Sequence, residues 1–142
     1  MDPLFDFTGR LVVVTGGSRG LGKEMVLAFA ERGADVVVAS RKLEACEAVA
    51  AEVRKLGRRA LAHSLHAGKW DSIDALIDAV YREFGRIDVL VNNAGSGPAA
   101  RSHEVTEALF DSVVDLNFKG PFRLASQVAK RMADGEGGVI VN

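Results

Sequence analysis

The sequence predicts an α/β fold, a doubly wound parallel sheet of five strands. Three observations point there. Short β-branched runs recur without alternating with polar residues, as strands do when helices cover both faces of a parallel sheet. Amphipathic helical stripes lie between those runs, so strand and helix alternate as in βαβ units with right-handed crossovers. Short turns containing Gly33, Gly57 and Gly85 punctuate the junctions, with no internal linker, low-complexity segment or convincing repeat beyond the βα alternation.

The elements follow in order. The clear strands are "LVVVT" at 11–15, "DVVVA" at 35–39, "IDVLV" at 87–91 and "GVIVN" at 138–142, with a weaker candidate, "RALAHS", at 59–64. The first helical stripe is Met25, Val26, Phe29 and Ala30, and the second is Leu43, Cys46, Ala50 and Val53. The third and clearest is Ile73, Leu76, Ile77, Val80 and Phe84, with Asp71 or Ser72 as its expected N-cap. A longer helical region spans 106–133 and contains Gly120 and Pro121. Pro121 has no N–H to give residue 117, which predicts a kink or break there.

Composition narrows the function classes. The 142 residues amount to one domain with enough chain for a sizeable core. Hydrophobic residues make up 48% and charged residues 26%, the balance of a folded globular chain. The 18 basic residues are interspersed with 19 acidic ones for a net charge of −1, which implies no nucleic-acid partner. No apolar run approaches membrane-spanning length, and the start "MDPLFDFTGR" lacks the basic and apolar regions of a signal peptide. The lone Cys46 excludes an intrachain disulfide and fits a reducing, cytoplasmic setting.

The stretch "TGGSRGLGKE" at 15–24 fits three motifs. As a P-loop, Gly17 to Lys23 needs a Ser or Thr after the Lys to ligate Mg²⁺, and Glu24 stands there instead. No Walker B partner is present either, since Asp88 opens its strand and does not close it. As a nucleophile elbow around Ser18, the turn follows the first strand, so no earlier βα loop exists to lend an oxyanion-hole N–H. A dinucleotide-binding turn fits better. Gly16, Gly20 and Gly22 would let the backbone turn tightly and approach a pyrophosphate at a helix N-terminus. Against it stands the plain alternative of a turn that needs positive φ and holds no ligand.

A second motif decides between them. "NNAG" at 92–95 directly follows the fourth strand, at its carboxyl end. Ligands of open parallel sheets bind outside the carboxyl ends of strands near the switch point, where strands one and four are neighbours in the order 3-2-1-4-5. With "TGGSRGLG" at 15–22, "NNAG" at 92–95, "NFKG" at 117–120 and "GGVIVN" at 137–142, the chain resembles the short-chain dehydrogenase/reductase family. The motifs stand in the family's order and spacing along the whole chain.

The resemblance implies a Rossmann-type fold and a set of roles. Gly16, Gly20 and Gly22 correspond to cofactor glycines, with Ser18, Arg19 and Leu21 beside the phosphates. Thr15 corresponds to the residue that ties this turn to the "NNAG" strand. Asn92 and, with it, Asn93, Ala94 and Gly95 correspond to the segment flanking adenosine and ribose. Asn117 matches the Asn of a catalytic Asn-Ser-Tyr-Lys tetrad, which opens the long helix locally and helps hold a proton-relay water. The implied reaction is hydride transfer between a nicotinamide cofactor and a small carbonyl or alcohol, and the intact protein is expected to be a homo-oligomer.

The resemblance also has gaps. The family's catalytic Ser and Tyr-x-x-x-Lys fall after the fifth strand, and the chain ends at Asn142. Tyr81, the one tyrosine, reads "YREFG" without a Lys four residues on, and Lys119 belongs to "NFKG". Residues 1–142 therefore read as a single dinucleotide-binding domain, incomplete at its C-terminus and inactive alone. The alternatives are a non-catalytic nucleotide-binding or interaction module that ends at Asn142, or a remnant that binds nothing. Where the family commonly places an adenine-bonding Asp, the chain has His66 within "HSLHAG". His63 and His66 have no third ligand nearby, so no metal is expected.

The cofactor is expected to be NADP(H), with NAD(H) as the alternative. An NAD enzyme needs an acid about 20 residues after the glycine turn to hold the ribose 2′-OH. Here the second strand closes on Ser40 and Arg41, and Arg19 lies in the turn itself, both basic groups suiting a 2′-phosphate.

Overall fold

The computed structural model describes residues 2–142. Five strands form one parallel sheet: β1 (Leu11–Thr15), β2 (Asp35–Ser40), β3 (Ala60–Ser64), β4 (Val89–Val91) and β5 (Val139–Val141). Their order is β3-β2-β1-β4-β5, as the sequence predicts. β1 is central. Its Val13 pairs with Val37 of β2 on one side and with Leu90 of β4 on the other. All five residues of β1 are buried, which explains its unbroken β-branched run.

Helices cover both faces. α1 (Gly20–Glu31) and α2 (Leu43–Lys55) pack on one side, where Val26, Ala30, Cys46, Val49, Ala50 and Val53 meet Val12, Val14, Val36 and Val38. α3 (Trp70–Phe84) and α5 (Gly120–Asp134) pack on the other, where Ile73, Leu76, Val80, Leu124 and Val128 meet Val13, Val37 and Leu90. Alternate residues of each strand serve opposite layers, as period-2 geometry requires.

Several expectations need correction. The weaker run at 59–64 is not among them: it forms a strand as expected, five of its residues pairing in register with β2. The apolar runs of β4 and β5 are longer than the strands, which hold three residues each. Asp88 precedes β4, and its buried carboxylate accepts the Leu11 N–H at 2.8 Å, tying β4 to β1 through a side chain. Leu43 is largely exposed, and Val49 completes the α2 core face in its place. α3 begins at Trp70, with Lys69 at the N-cap and no side-chain cap. Ser72 is within the first turn, where its hydroxyl accepts the His66 N–H at 2.8 Å.

The long helical region is interrupted just before Pro121, by a change of helix type and not by a chain break. α4 (Glu107–Val114) runs into a π-helical turn, Asp115–Lys119, and then into α5. The Gly120 N–H reaches back five residues to the Asp115 carbonyl. Pro121 thus falls in the first turn of a new α segment, where a missing N–H costs little. Outward from this helical run stand Phe110, Phe118 and Phe122, all exposed. β5 is one edge of the sheet, with Val139 and Val141 exposed.

Candidate functional site

The carboxyl ends of β1 and β4 lie side by side, with Val14 paired to Val91. Thr15 closes β1 and is 2% exposed. Its hydroxyl donates to the Val91 carbonyl at 3.4 Å and accepts the N–H groups of Asn93 and Ala94, each at 3.0 Å. One donor and two acceptor sites are the whole capacity of a hydroxyl. The Asn93 side chain returns the connection, donating its amide to the carbonyls of Thr15 at 3.2 Å and Gly16 at 3.3 Å. Two loops from distant parts of the chain are thereby fixed to each other.

The glycine turn is built on this base. Gly16 has φ 64° and donates its N–H to the Ala39 carbonyl at 2.8 Å; Gly20 has φ 55°. Gly22 lies beneath the turn, where an added Cβ would stand 2.0 Å from the Gly16 carbonyl oxygen and 2.7 Å from the Asn93 amide nitrogen. Only a hydrogen fits there. At Gly20 an added Cβ would meet nothing within 4 Å, so the mouth of the turn is open. α1 starts at this mouth with Arg19 at its N-cap, no side-chain cap and no acid in its first turn. Its first N–H groups therefore offer an uncompensated positive end to an anion. Arg19 and Leu21 flank the mouth and are exposed.

The end of β2 forms the next wall. The Ser40 hydroxyl donates to the Ser18 hydroxyl at 2.8 Å, which joins strand end to glycine turn. Arg41 follows immediately and is exposed. His66 is beyond the end of β3, exposed, with its backbone N–H held by Ser72. The sheet order puts it two strands from β1, further out than the two serines.

The far side of the site is closed by Asn117, inside the π-helical turn. Its side-chain oxygen accepts the Ser96 N–H at 3.2 Å, and its amide nitrogen donates to the carbonyls of Ser96 at 2.7 Å and Val113 at 2.8 Å. Both amide hydrogens are in use. A Cβ at Gly95 would lie 2.8 Å from the same oxygen, so the loop runs hard against Asn117.

The structure thus gathers Gly16, Ser18, Arg19, Gly20, Leu21, Gly22, Ser40, Arg41, Asn93, Ala94 and Gly95 along one edge of the sheet. Asn92 stands apart from them. Its N–H donates to the Val141 carbonyl at 2.8 Å and its side chain to Asn142 at 2.9 Å, so it serves β5. Tyr81 is remote for a topological reason. A helix between parallel strands runs back against them, so its C-terminal end returns to the opposite edge of the sheet. Tyr81 is near that end of α3, half-buried, with the Arg131 guanidinium 4.3 Å from its ring centre. Burial raises its phenol above the usual range, which leaves it protonated. His63 Nδ1 lies 2.7 Å from the Ser64 carbonyl, and His103 lies beside Glu104.

Two features escape sequence reasoning. Cys46, a member of an ordinary core stripe, lies 3.0 Å from the Ser40 hydroxyl. Gly120 presses so closely on the loop after β3 that a Cβ would sit 1.7 Å from the Ala67 carbonyl oxygen. Beside it, the Trp70 indole N–H donates to the Lys119 carbonyl at 3.1 Å. The motif "NFKG" held a hint of the second, since a glycine at a helix start invites a search for a close neighbour. Nothing in the pattern marks the first.

The family model for short chain dehydrogenase matches residues 10–142. The 2-dehydro-3-deoxy-D-gluconate 5-dehydrogenase of Escherichia coli K12 is 40% identical over 139 residues, covering 97% of this chain and 54% of that protein. The 7alpha-hydroxysteroid dehydrogenase of the same organism is 35% identical over 133 residues, covering 94% and 52%. A metagenomic short-chain oxidoreductase, solved in complex with NADP, superposes with a TM-score of 0.90 at 35% identity, covering 94% of this chain and 61% of its own. A short-chain type dehydrogenase/reductase from Mycobacterium marinum gives 0.92 at 36% identity, covering 96% and 54%. The chain spans about half the length of the curated relatives it matches.

Proposed function

We propose, from the premise that this chain belongs to the short-chain dehydrogenase family, that residues 1–142 form the cofactor-binding part of an NADP(H)-dependent oxidoreductase acting on a small carbonyl or alcohol. The observation that carries the reading is the glycine turn: an uncapped helix N-terminus, open at Gly20 and fastened to the β4 loop through Thr15. When bound, the nicotinamide supplies or takes the hydride. The chain's own residues bind and orient it.

In this reading Gly16, Gly20 and Gly22 let the backbone come close to the pyrophosphate, and the first N–H groups of α1 donate to it. Ser18, Arg19 and Leu21 flank the phosphates. Arg41 receives the 2′-phosphate, Ser40 holds the Ser18 hydroxyl beside it, and His66 borders the adenine. Asn93, Ala94 and Gly95 line the ribose side. Asn117 is a positioning residue: it holds Gly95 and Ser96 in place and spans the π-helical turn. Residues 1–142 contain no Tyr-x-x-x-Lys pair, so the general acid and base of the reaction are not among them.

The preference for NADP(H) is supported by charge. The end of β2 has Ser40, Arg41 and Lys42 where a ribose-binding acid would stand in an NAD enzyme. A charge-assisted contact is worth about 1.5–3 kcal/mol, or roughly ten- to hundredfold in affinity. The test is to titrate the full-length protein with NADPH and NADH, and then Arg41→Ala. The expected result is tighter NADPH binding that Arg41→Ala weakens by about tenfold or more while NADH binding is unchanged. Equal affinities, or an indifferent Arg41→Ala, would overturn the preference.

A further inference from the structure

We propose that Cys46 helps set the cofactor preference as a positioning residue, by turning the Ser18 hydroxyl proton outward toward a 2′-phosphate. The inference rests on the NADP(H) reading above.

Three groups form a line from the core to the mouth of the site. Cys46 is 0% exposed on α2. Its sulfur lies 3.0 Å from the Ser40 hydroxyl, which lies 2.8 Å from the Ser18 hydroxyl. Ser40 and Ser18 are half-buried, and Ser18 belongs to the glycine turn.

A hydroxyl has one proton to give and two lone pairs to receive with. Two polarisations run through the whole line; the third, in which Ser40 accepts from both neighbours, is not the one seen, since Ser40 donates to Ser18. In the first, the thiol donates to Ser40, Ser40 donates to Ser18, and the Ser18 proton is left to point out of the line. In the second, Ser18 donates to Ser40, Ser40 donates to the sulfur, and Ser18 turns a lone pair outward. The first presents a donor and suits a phosphate, which only accepts. The second presents an acceptor and suits a ribose 2′-OH. The same three atoms thus offer two faces, one for each cofactor.

The Ser40–Ser18 contact decides between them. A thiol is both a weak donor and a weak acceptor, so the sulfur favours neither arrangement, and its contact with Ser40 can run either way. Ser40 donates to Ser18 in this structure, which is the first arrangement. The thiol can also donate to the carbonyls of Ser40 and His63, at 3.9 and 3.8 Å, which are longer contacts than the 3.0 Å one to the Ser40 hydroxyl.

The probes are adenosine 2′,5′-bisphosphate and adenosine 5′-monophosphate, which differ only in the 2′-phosphate. Their affinities are measured by calorimetry on the full-length protein and on Cys46→Val, Cys46→Ala and Cys46→Ser. Valine keeps nearly the volume and removes the donor. The bisphosphate should bind Cys46→Val about three- to tenfold more weakly, with the monophosphate changed by less than about twofold. Cys46→Ser keeps a donor and should recover most of the loss. Cys46→Ala is the second donor-free variant and should match the valine result if valine folds poorly. Unchanged discrimination in both donor-free variants, with the wild type favouring the bisphosphate, sinks the role of Cys46 and leaves the NADP(H) reading standing. A wild type that binds both probes equally overturns that reading and this inference together. Equal loss in all three variants assigns the effect to packing and also overturns the inference.

Discussion

Thr15 and Asn93 are joined twice: the Asn93 backbone N–H donates to the Thr15 hydroxyl at 3.0 Å, and the Asn93 side-chain amide donates to the Thr15 carbonyl at 3.2 Å. They are 78 residues apart in sequence. The glycine turn and the "NNAG" loop hold their relative position through this contact. Thr15→Val keeps the shape and removes the acceptor, leaving the N–H groups of Asn93 and Ala94 without it. The expected loss is about 1–3 kcal/mol in denaturant unfolding, together with weaker NADPH binding. Thr15→Ser keeps the hydroxyl and should lose less of both. Equal behaviour of the two variants would show that the hydroxyl is not the tie.

Gly22 and Gly20 make different demands. Gly22→Ala forces a carbon to 2.0 Å from the Gly16 carbonyl oxygen, so the turn must rebuild. Stability and cofactor binding should both collapse. Gly20→Ala meets open space and suffers only a left-handed backbone conformation, roughly 1–2 kcal/mol for a non-glycine residue. The residue stands at the open mouth of the turn, so NADPH binding should fall by far more than that stability loss implies. Thermal melts with and without NADPH separate the two cases.

Asp74 and Arg123 clamp α3 to α5 with two hydrogen bonds of 2.9 Å, and the guanidinium lies 4.8 Å from the Trp70 ring centre. The Arg123 hydrogen bonds hold the Asp74 carboxyl below the usual carboxylate range. A lowered folded pKa gives stability that is complete above the unfolded value, about 3.9, and is lost as pH falls through the folded value. The pair is largely solvated, so the effect is small. Asp74→Asn should melt slightly below the wild type near neutral pH, and the gap should close in acid below the unfolded value. A gap that widened in acid would contradict the sign.

Residues 1–142 expressed alone should bind cofactor without turning over substrate. A positioned general acid contributes about 10² to 10⁴-fold, and the Tyr-x-x-x-Lys pair that would supply it is not found in these residues. Tyr81 is at the opposite edge of the sheet, against Arg131. Tyr81→Phe should therefore leave NADPH affinity unchanged. Following NADPH absorbance with ketones, aldehydes and quinones checks the first statement. Turnover at an ordinary reductase rate would refute it, and loss of that turnover in Tyr81→Phe would assign the chemistry to Tyr81.

Much of this was open to reading from the chain itself. The unbroken valine runs of β1 and β2 announce burial on both faces, and helical stripes between them announce crossovers. The glycine spacing and "NNAG" mark the site because backbone approach and tight turning restrict residue type locally. The kink or break expected at Pro121 takes the form of a π-helical turn just before it, because local rules see a missing N–H but not the turn that absorbs it. Ser72 failed as a cap for a similar reason: its hydroxyl was taken by His66, on the loop after β3.

The sequence by itself determined the strands, the helices between them and the glycine turn, since periodicity and glycine placement are local consequences of backbone geometry; the sheet order followed from the fold type those elements identify. Only the tertiary structure decided which hydrogen bonds those residues make. Thr15 became a tie and not merely a strand end, Asn92 turned to β5, and Cys46 left the anonymity of a core stripe to meet Ser40. A hydroxyl, amide or thiol has few directions in which to bond, and its partners come from segments far along the chain. Their meeting is fixed by how the layers pack, and no local pattern encodes it.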